Sequence, residues 1–475
     1  MKTKILSLLL LCCMFFIFAC SNVQQTDNTD TTESVGSSIE TKLSDNLVKA
    51  DFNGETFQIT TFQNNNFHYE IDVETMTSEL LDDAIYSRNL AIEEMYKIDL
   101  VQKVNNDGDN YNIVTTNILA GDDSYDLSIV RCGNDLDAWK NGYIYTYNQI
   151  PNIDLTQKYW DSTLNQSLTI NNCQYTAVGA FNLDIYDLTF CLVFNKNMMS
   201  NYNLGNLYEM VKTGVWTYGR MGEMMTAVRS DLNGDGEFTT EDQFGYTSAS
   251  KMTAPGFWIA AGVKSIEKDQ EDMPYLALDS ENFINVWDKI FEVVWDTNAT
   301  YFGTAGEDVP ADSIKLFKGD QSLFMDISFF YIEALRDTEV DFGIIPYPKY
   351  SETQEGTYCR VCYYMPCIIP KTNSNLEMTG TILEALHCLS YEKVIPAYYD
   401  ISLKGKYSRD DESAEMLDLI FQSRVIDIGD STLCGQIRDN FIASMMTNNK
   451  RTLASAVKVY GNNITKYLYN SIPEA

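Results

Sequence analysis

Tyr125-Asp126-Leu127-Ser128-Ile129-Val130 is a short apolar run that follows the break Gly121-Asp122-Asp123-Ser124 and stops at Arg131. Its length and boundaries predict a strand. What precedes it decides the fold. Residues 111–119 have helical patterning, and residues 98–104 read as another strand. Before them, Leu81, Ala84, Ile85, Ile92 and Met95 recur at helical spacing, with Ser78 as the expected cap. Residues 52–61 read as a first strand through Phe52, Phe57 and Ile59. Strand, helix, strand, helix, strand predicts a mostly parallel sheet with helices on its faces. Arg88 lies on the apolar stripe of the first helix, where a snorkelling side chain or a buried ion pair is expected.

Further along, residues 173–181, 188–195, 322–325 and 341–346 read as strands. Residues 206–211, 221–228, 283–296, 376–389, 414–423 and 436–446 have helical patterning. No repeat of solenoid period is visible. The chain has 475 residues, 45% of them hydrophobic. That is more than one core fills, so two lobes are expected. A net charge of −33 argues against nucleic acid as a partner, because phosphate binding needs basic surface.

The N-terminus predicts export. Lys2 and Lys4 precede an apolar run over residues 5–19, and Ala19 precedes Cys20. This resembles a bacterial lipobox, with cleavage before Cys20 and lipid on that cysteine. Residues 1–19 are then a signal peptide. Residues 20–48, rich in Ser, Thr, Asn, Asp and Gln, are expected to be a disordered tether. The expected location is the outer face of the plasma membrane of a Gram-positive cell, with the membrane a partner through the lipid anchor. Eight cysteines remain beyond Cys20. Several sit in apolar runs as small hydrophobes, and free core thiols are expected. Cys359-Arg360-Val361-Cys362 lacks a second such pair or a nearby histidine, so it is a weak metal signal.

Asp231-Leu232-Asn233-Gly234-Asp235-Gly236-Glu237-Phe238-Thr239-Thr240-Glu241-Asp242 is the sharpest local motif. Oxygen-bearing side chains fall at positions 1, 3 and 5, glycine at 6 and an acid at 12, which is the pattern of a calcium loop closed by aspartate in place of glutamate. Asp231, Asn233, Asp235, Glu237 and Asp242 are the candidate ligands of a structural calcium. The competing reading is an acidic pair of Asn-Gly and Asp-Gly turns. No cofactor is expected to be required.

Five stretches in order resemble the extracellular solute-binding proteins of bacterial ABC importers, in the branch that mostly carries sugars. They are Tyr125-Asp126-Leu127, Phe194-Asn195-Lys196, Gly214-Val215-Trp216-Thr217-Tyr218, Leu316-Phe317-Lys318-Gly319-Asp320-Gln321-Ser322-Leu323-Phe324 and Phe342-Gly343-Ile344-Ile345-Pro346-Tyr347-Pro348. The resemblance implies an α/β, two-lobed periplasmic-binding-protein-like fold of type II, with two mixed sheets flanked by helices and a cleft between lobes. The first lobe would be residues 49–179 plus 364–400, and the second 180–363 plus 401–475. It also implies a monomer that receives a small solute, a sugar, and passes it to the permease subunits of an ABC transporter.

Sugar sites combine flat rings with polar groups for the hydroxyls. On the loops that the resemblance places in the cleft, the candidates are Arg131, Asn134 and Asp135; Asn182, Asp184 and Tyr186; Trp258, after a Pro-Gly turn; and Asp326, Phe329, Phe330 and Tyr331. Catalysis finds no motif. The two histidines, His68 and His387, are far apart in sequence, and no nucleophile elbow, zinc-protease, phosphate-loop or dinucleotide pattern occurs. A surface carbohydrate-active enzyme and a calcium-dependent attachment protein are the alternatives.

Overall fold

The computed structural model describes residues 42–63, 71, 73, 75–106, 108–304, 306–399 and 411–473. The expected signal peptide, with Cys20, and His68 lie outside these residues. Within the described residues the chain builds two five-stranded sheets. The first has the order Ile98–Asn106, Glu55–Gln63, Leu127–Ile129, Cys367–Pro370, Ile144–Tyr145 and the second Phe342–Ile345, Phe190–Asn195, Ser322–Ser328, Phe244–Ser248, Thr300–Phe302.

The first sheet grows from the predicted alternation. β1 (Glu55–Gln63) pairs in parallel with β2 (Ile98–Asn106) and β3 (Leu127–Ile129), and α1 (Leu80–Tyr96) and α2 (Asn110–Ala120) connect them. β1 buries Phe57, Ile59 and Phe62, and α1 turns Ile85, Ile92 and Tyr96 inward. The chain continues through α3 (Asn134–Lys140), β4 (Ile144–Tyr145) and α4 (Ser162–Leu168), then crosses to the second sheet. There β5 (Phe190–Asn195), β6 (Phe244–Ser248), β9 (Thr300–Phe302), β10 (Ser322–Ser328) and β11 (Phe342–Ile345) assemble, with β5 and β10 buried along their whole length. Between β6 and β9 a hairpin of β7 (Ile266–Lys268) and β8 (Pro274–Leu276) stands apart as its own two-stranded sheet. β12 (Cys359–Arg360) then leads back to β13 (Cys367–Pro370), which lies antiparallel to β3 and β4. Both sheets are mixed, and each lobe carries one.

A third passage follows the buried helix Leu376–Leu389. The C-terminal helices return to the second core, where Leu417, Ile420, Ile437 and Leu468 are buried. β14 (Arg424–Val425) pairs with β12. A small cluster of Leu164, Leu168, Val178, Ile185, Val361, Tyr364 and Ile426 forms where these passages meet. Residues from Leu43 onward form one compact unit.

Four local expectations fail for identifiable reasons. Residues 173–181 form no strand. The side chain of Asn165 takes the place of a strand partner, donating to the Val178 carbonyl at 3.0 Å and accepting its N–H at 2.7 Å. Ser78 does not cap α1: the Asp83 carboxylate accepts the N–H groups of Thr77 and Ser78 instead. The end of the expected tether is docked, because Leu43–Asn46 forms one helical turn whose Ser44 N–H and hydroxyl donate to Glu392. Arg88 neither snorkels nor meets a carboxylate. It is buried, donates to Asn89, Ser390 and the Ile71 carbonyl, and lies over the Phe181 ring. Burial alone lowers its pKa to about 9.

All eight cysteines of the described residues are free thiols, five of them buried. No described helix is long and apolar enough to cross a membrane. His387 is fully buried, accepts the Phe181 N–H and stacks on Trp160 at 3.6 Å, so its imidazole stays neutral.

Candidate functional site

Open α/β sheets offer their ligand positions beyond the carboxyl ends of the strands. In the first lobe the loop after β3 begins with Arg131 and turns at Gly133. Gly133 has φ +91°, and a Cβ there would come within 3.1 Å of the Thr432 carbonyl. The turn presents Asn134 at the start of α3, half-buried, and Arg131, exposed with its guanidinium over the Phe62 ring. Asp135 points inward. Its carboxylate accepts the Gly133 N–H and the Tyr364 hydroxyl, and burial pushes its pKa up to about 6.

In the second lobe β10 is followed by one helical turn, Phe329–Ile332, that carries Phe329, buried against Phe421, and then Phe330 and Tyr331. These last two are half-buried, with rings edge to face at 5.0 Å. The loop after β9 brings up Asp308, paired with Lys251 at 2.6 Å. Tyr363, from the second crossover, is also half-buried. The Arg438 guanidinium lies over its ring at 4.6 Å and donates to its hydroxyl. Burial comes first among the causes that raise the hydroxyl pKa of Tyr331 and of Tyr363, and the Asp308 carboxylate adds to both. Phe330 and Tyr331 thus lie edge to face after β10, and the Asp308 charge acts on the hydroxyls of both Tyr331 and Tyr363. Tyr363, Asp308 and Arg438 were not among the sequence candidates.

Behind these rings runs the segment 426–434. Asp427 accepts the Trp258 indole N–H at 2.9 Å and the Ser265 N–H at 2.7 Å. Asp430 takes a two-pronged bond from Arg360, at 2.5 and 2.8 Å. Arg438 approaches the same carboxylate at 3.5 Å and donates to the Asp430 carbonyl. Asp326 accepts the hydroxyls of Ser248 and Tyr347, and burial raises its pKa to about 6.

The remaining candidates do not join the rings. Trp258 is fully buried, with its indole N–H occupied by Asp427, so it offers no face to a ligand. The Pro-Gly turn expected before it does not form, because Pro255 lies inside the continuous helix Ser250–Ala260. Asn182 and Asp184 tie one crossover to the other: Asn182 donates to the Met365 carbonyl, and Asp184 accepts the Met365 N–H at 2.6 Å. Tyr186 packs in the hinge under the Arg424 guanidinium, which is itself paired with Asp161.

Asp184 has a pH consequence. Burial outweighs the Met365 bond and pushes its pKa up to about 8. The folded state then holds this proton more tightly than the unfolded chain does, so stability from this group is full below the ordinary carboxylate range and is lost as pH rises toward 8. Asp184→Asn should flatten the decline in stability between about pH 4 and pH 8. Urea titrations at several pH values read that slope directly, and an unchanged slope would assign it elsewhere.

The acidic loop folds on itself. Asp231 accepts the N–H groups of Gly234 and Gly236, Asp235 that of Glu237, and Asp242 those of Leu232 and Thr239. These backbone bonds, that from Thr239 first, lower the Asp242 pKa. The Asn233 amide nitrogen sits between the carboxylates of Asp235 and Glu241, at 3.0 and 3.1 Å. Among the described residues no three acidic, histidine or cysteine side chains converge as a metal site would require.

No family model and no curated protein matches the chain. Solved structures do. An ABC substrate-binding protein from Listeria monocytogenes in complex with cycloalternan covers 88% of this chain and 99% of its own, with TM-score 0.55 and 13% identity. The cyclic alpha-maltosyl-1,6-maltose binding protein of Arthrobacter globiformis covers 88% and 100%, with TM-score 0.59 and 11% identity. A solute-binding protein from Thermotoga lettingae bound with alpha-D-tagatose covers 87% and 100%, with TM-score 0.54 and 15% identity. The likeness runs along nearly the whole described chain, and the protein has the two-lobed α/β fold of the ABC transporter solute-binding proteins.

Proposed function

We propose that the protein captures a small carbohydrate between its lobes, unchanged, and delivers it to the permease of an ABC importer. One observation carries the reading: Phe330 and Tyr331, half-buried and edge to face, follow β10 at the strand ends where this fold takes its ligand, and the Asp308 charge acts on Tyr331 and on half-buried Tyr363 of the second crossover. Rings stack on the apolar faces of sugars, and carboxylates accept from their hydroxyls. Arg131 and Asn134 supply polar groups from the facing lobe. The solved neighbours bound to cycloalternan and to tagatose support a sugar as the ligand class. A thermal-shift screen of the purified protein against mono- and oligosaccharides tests this. A specific sugar at 100 times its Kd should stabilise by ~2.7 kcal/mol. No stabilising sugar, or conversion of the bound one, would overturn the reading.

Lipid on Cys20 would hold this receptor at the outer face of the plasma membrane. Cys20→Ser should move the protein from the detergent phase to the aqueous phase in a partition assay; retention in detergent would remove the anchor.

We also propose a structural calcium in the loop 231–242. The Asn233 amide lies between two carboxylates, where positive charge is favoured. Calcium would need this side chain to turn its oxygen inward beside Asp231, Asp235, Glu237 and Asp242. Millimolar calcium should raise the melting temperature over that in chelator, with magnesium much weaker. Equal melting with and without chelator would leave the loop as a pair of turns.

A further inference from the structure

The last two helical stretches of the chain leave an exposed groove between them. Gly435–Ile442, a π-helix that runs on into Ala443–Thr447, turns back through residues 448–452 into the helix Leu453–Asn470. π-helical turns are rare and are frequent at functional sites. The groove encloses a cavity of about 340 Å³, within the ~300–1,000 Å³ usual for small-ligand sites. Phe441, Met445 and Ile464, each almost wholly buried, show their edges at its floor, and the Tyr460 ring tilts against Phe441 at 5.5 Å. The rim carries the amides of Gln436, Asn440 and Asn463. Asn440 donates to the Gly435 carbonyl, and the amides of Gln436 and Asn463 bond no other group among the described residues. The groove faces away from the strand-end rings. Arg438, which reaches Tyr363, is buried, whereas Gln436 and Asn440, which flank it in sequence, are exposed.

A stripe of side chains continues the groove along Leu453–Asn470. Ala456, Tyr460, Asn463 and Tyr467 recur at i, i+4, i+7 and i+11, which is one face of a helix. Tyr460 and Tyr467 are 53% and 45% exposed and stand about 10.5 Å apart along the axis at ~1.5 Å per residue. Tyrosine offers a large, rigid, amphipathic surface at low entropic cost, and amides offer adaptable hydrogen bonds. Rings set along one line with amides between them suit the apolar faces and the hydroxyls of successive sugar units. Charge selects against other occupants. No Asp or Glu lines the groove, in a chain with 67 of them, and its single charge is that of Lys450. A second copy of the chain also carries −33 and is repelled. A basic partner finds no acid in the lining. An uncharged polyhydroxyl chain meets neither obstacle.

We propose that this groove is a second carbohydrate site, which holds a neutral glycan chain on the outer surface of the second lobe. Tyr460 and Tyr467 are its stacking platforms, and Gln436 and Asn463 are its hydroxyl partners. The site goes beyond the capture of a small sugar and does not depend on it. Holding a polymer beside the receptor raises the effective concentration of its fragments there.

Affinity electrophoresis in native gels containing soluble starch, galactomannan, arabinoxylan or mixed-linkage β-glucan tests the proposal. At least one of these should retard the protein, and Tyr460→Ala combined with Tyr467→Ala should raise the apparent Kd about 10-fold or more. Tyr331→Ala, which leaves the groove intact, should be retarded as the parent is. If the double variant does not fold, Asn463→Arg, which fills the groove from an exposed position, is read in the same way. Retardation by none of these polymers overturns the site, as does equal retardation of the parent and a folded groove variant. A dimer of the parent in sedimentation, dissociated by the double variant, would give the groove to a second copy and also overturn the proposal. Retardation lost only in the groove variants, with no small sugar found in the thermal-shift screen, supports the groove and sinks the capture reading alone.

Discussion

Asp430→Asn should destabilise the protein by ~3–5 kcal/mol, the largest stability loss expected from one side chain here. Asp430 is the shared anion of two arginines. Arg360 and Arg438 have fully buried side chains, and the Asp430 carboxylate is buried with them. The carboxylate, first of all its charge, raises the pKa of both guanidinium groups against the opposing effect of burial. An asparagine keeps the shape and leaves two positive charges in a medium that solvates them poorly. Arg438 retains Asp439, which is 35% exposed. Arg360 keeps the amide oxygen, the Met252 carbonyl and sulfur and the Phe190 ring, but among the described residues no carboxylate pairs with it in place of Asp430. Urea unfolding measures the loss. Adding Arg360→Met to the Asp430→Asn chain should recover part of it, since that change removes one stranded charge. A surface pair gives the contrast. Arg451 and Asp296 have side chains 40% and 48% exposed, and Asp296→Asn should cost less than ~1 kcal/mol. Equal costs at the two sites would show that Asp430 is not the keystone of the interlobe segment.

The same cluster explains what the sequence could and could not reveal. Local pattern was enough for β1, α1, β2, α2 and β3: the helices carry an apolar stripe, and the strands, β3 above all with its three buried residues, are short runs bounded by polar breaks. It failed at residues 173–181, where Asn165 supplies bonds that a strand would have taken from a neighbour. Loop position picked out Arg131, Asn134, Phe330 and Tyr331, which follow strands directly. It could not pick out Tyr363 or Arg438. One comes from a crossover and the other from a helix 75 residues later, and only the third passage of the chain brings them together. A local signal was nonetheless present. Asp427, Asp430 and Arg438 interrupt the apolar positions Ile426, Ile428, Leu433 and Ile437, and charges on an otherwise buried stripe need partners. The Trp258 reading failed because Pro-Gly was read as a turn. Pro255 is instead accommodated within the helix Ser250–Ala260, and that helix carries the indole into the core.

Tyr331→Ala and Tyr363→Ala should each weaken binding of the sugar identified by thermal shift about 10- to 100-fold, which is ~1.4–2.7 kcal/mol. Both rings are half-buried, so a face remains for a sugar, and neither anchors a core cluster in the way that Trp258 and Phe329 do. The two variants separate ring from hydroxyl. In Tyr363 the hydroxyl accepts from Arg438 and the ring lies under the same guanidinium. Tyr363→Phe keeps the stacking surface and removes only that acceptor, so its affinity should stay within a few-fold of the parent while its melting temperature falls slightly. Tyr363→Ala removes the platform, and affinity should fall with it. Isothermal titration measures both. If the stacking surface is what the sugar meets, Phe and Ala at 363 diverge in affinity and Phe at 331 behaves like the parent. If the alanine variants bind as the parent does, the ligand lies elsewhere, and the ring cluster beside Asp308 is only the edge of the second core.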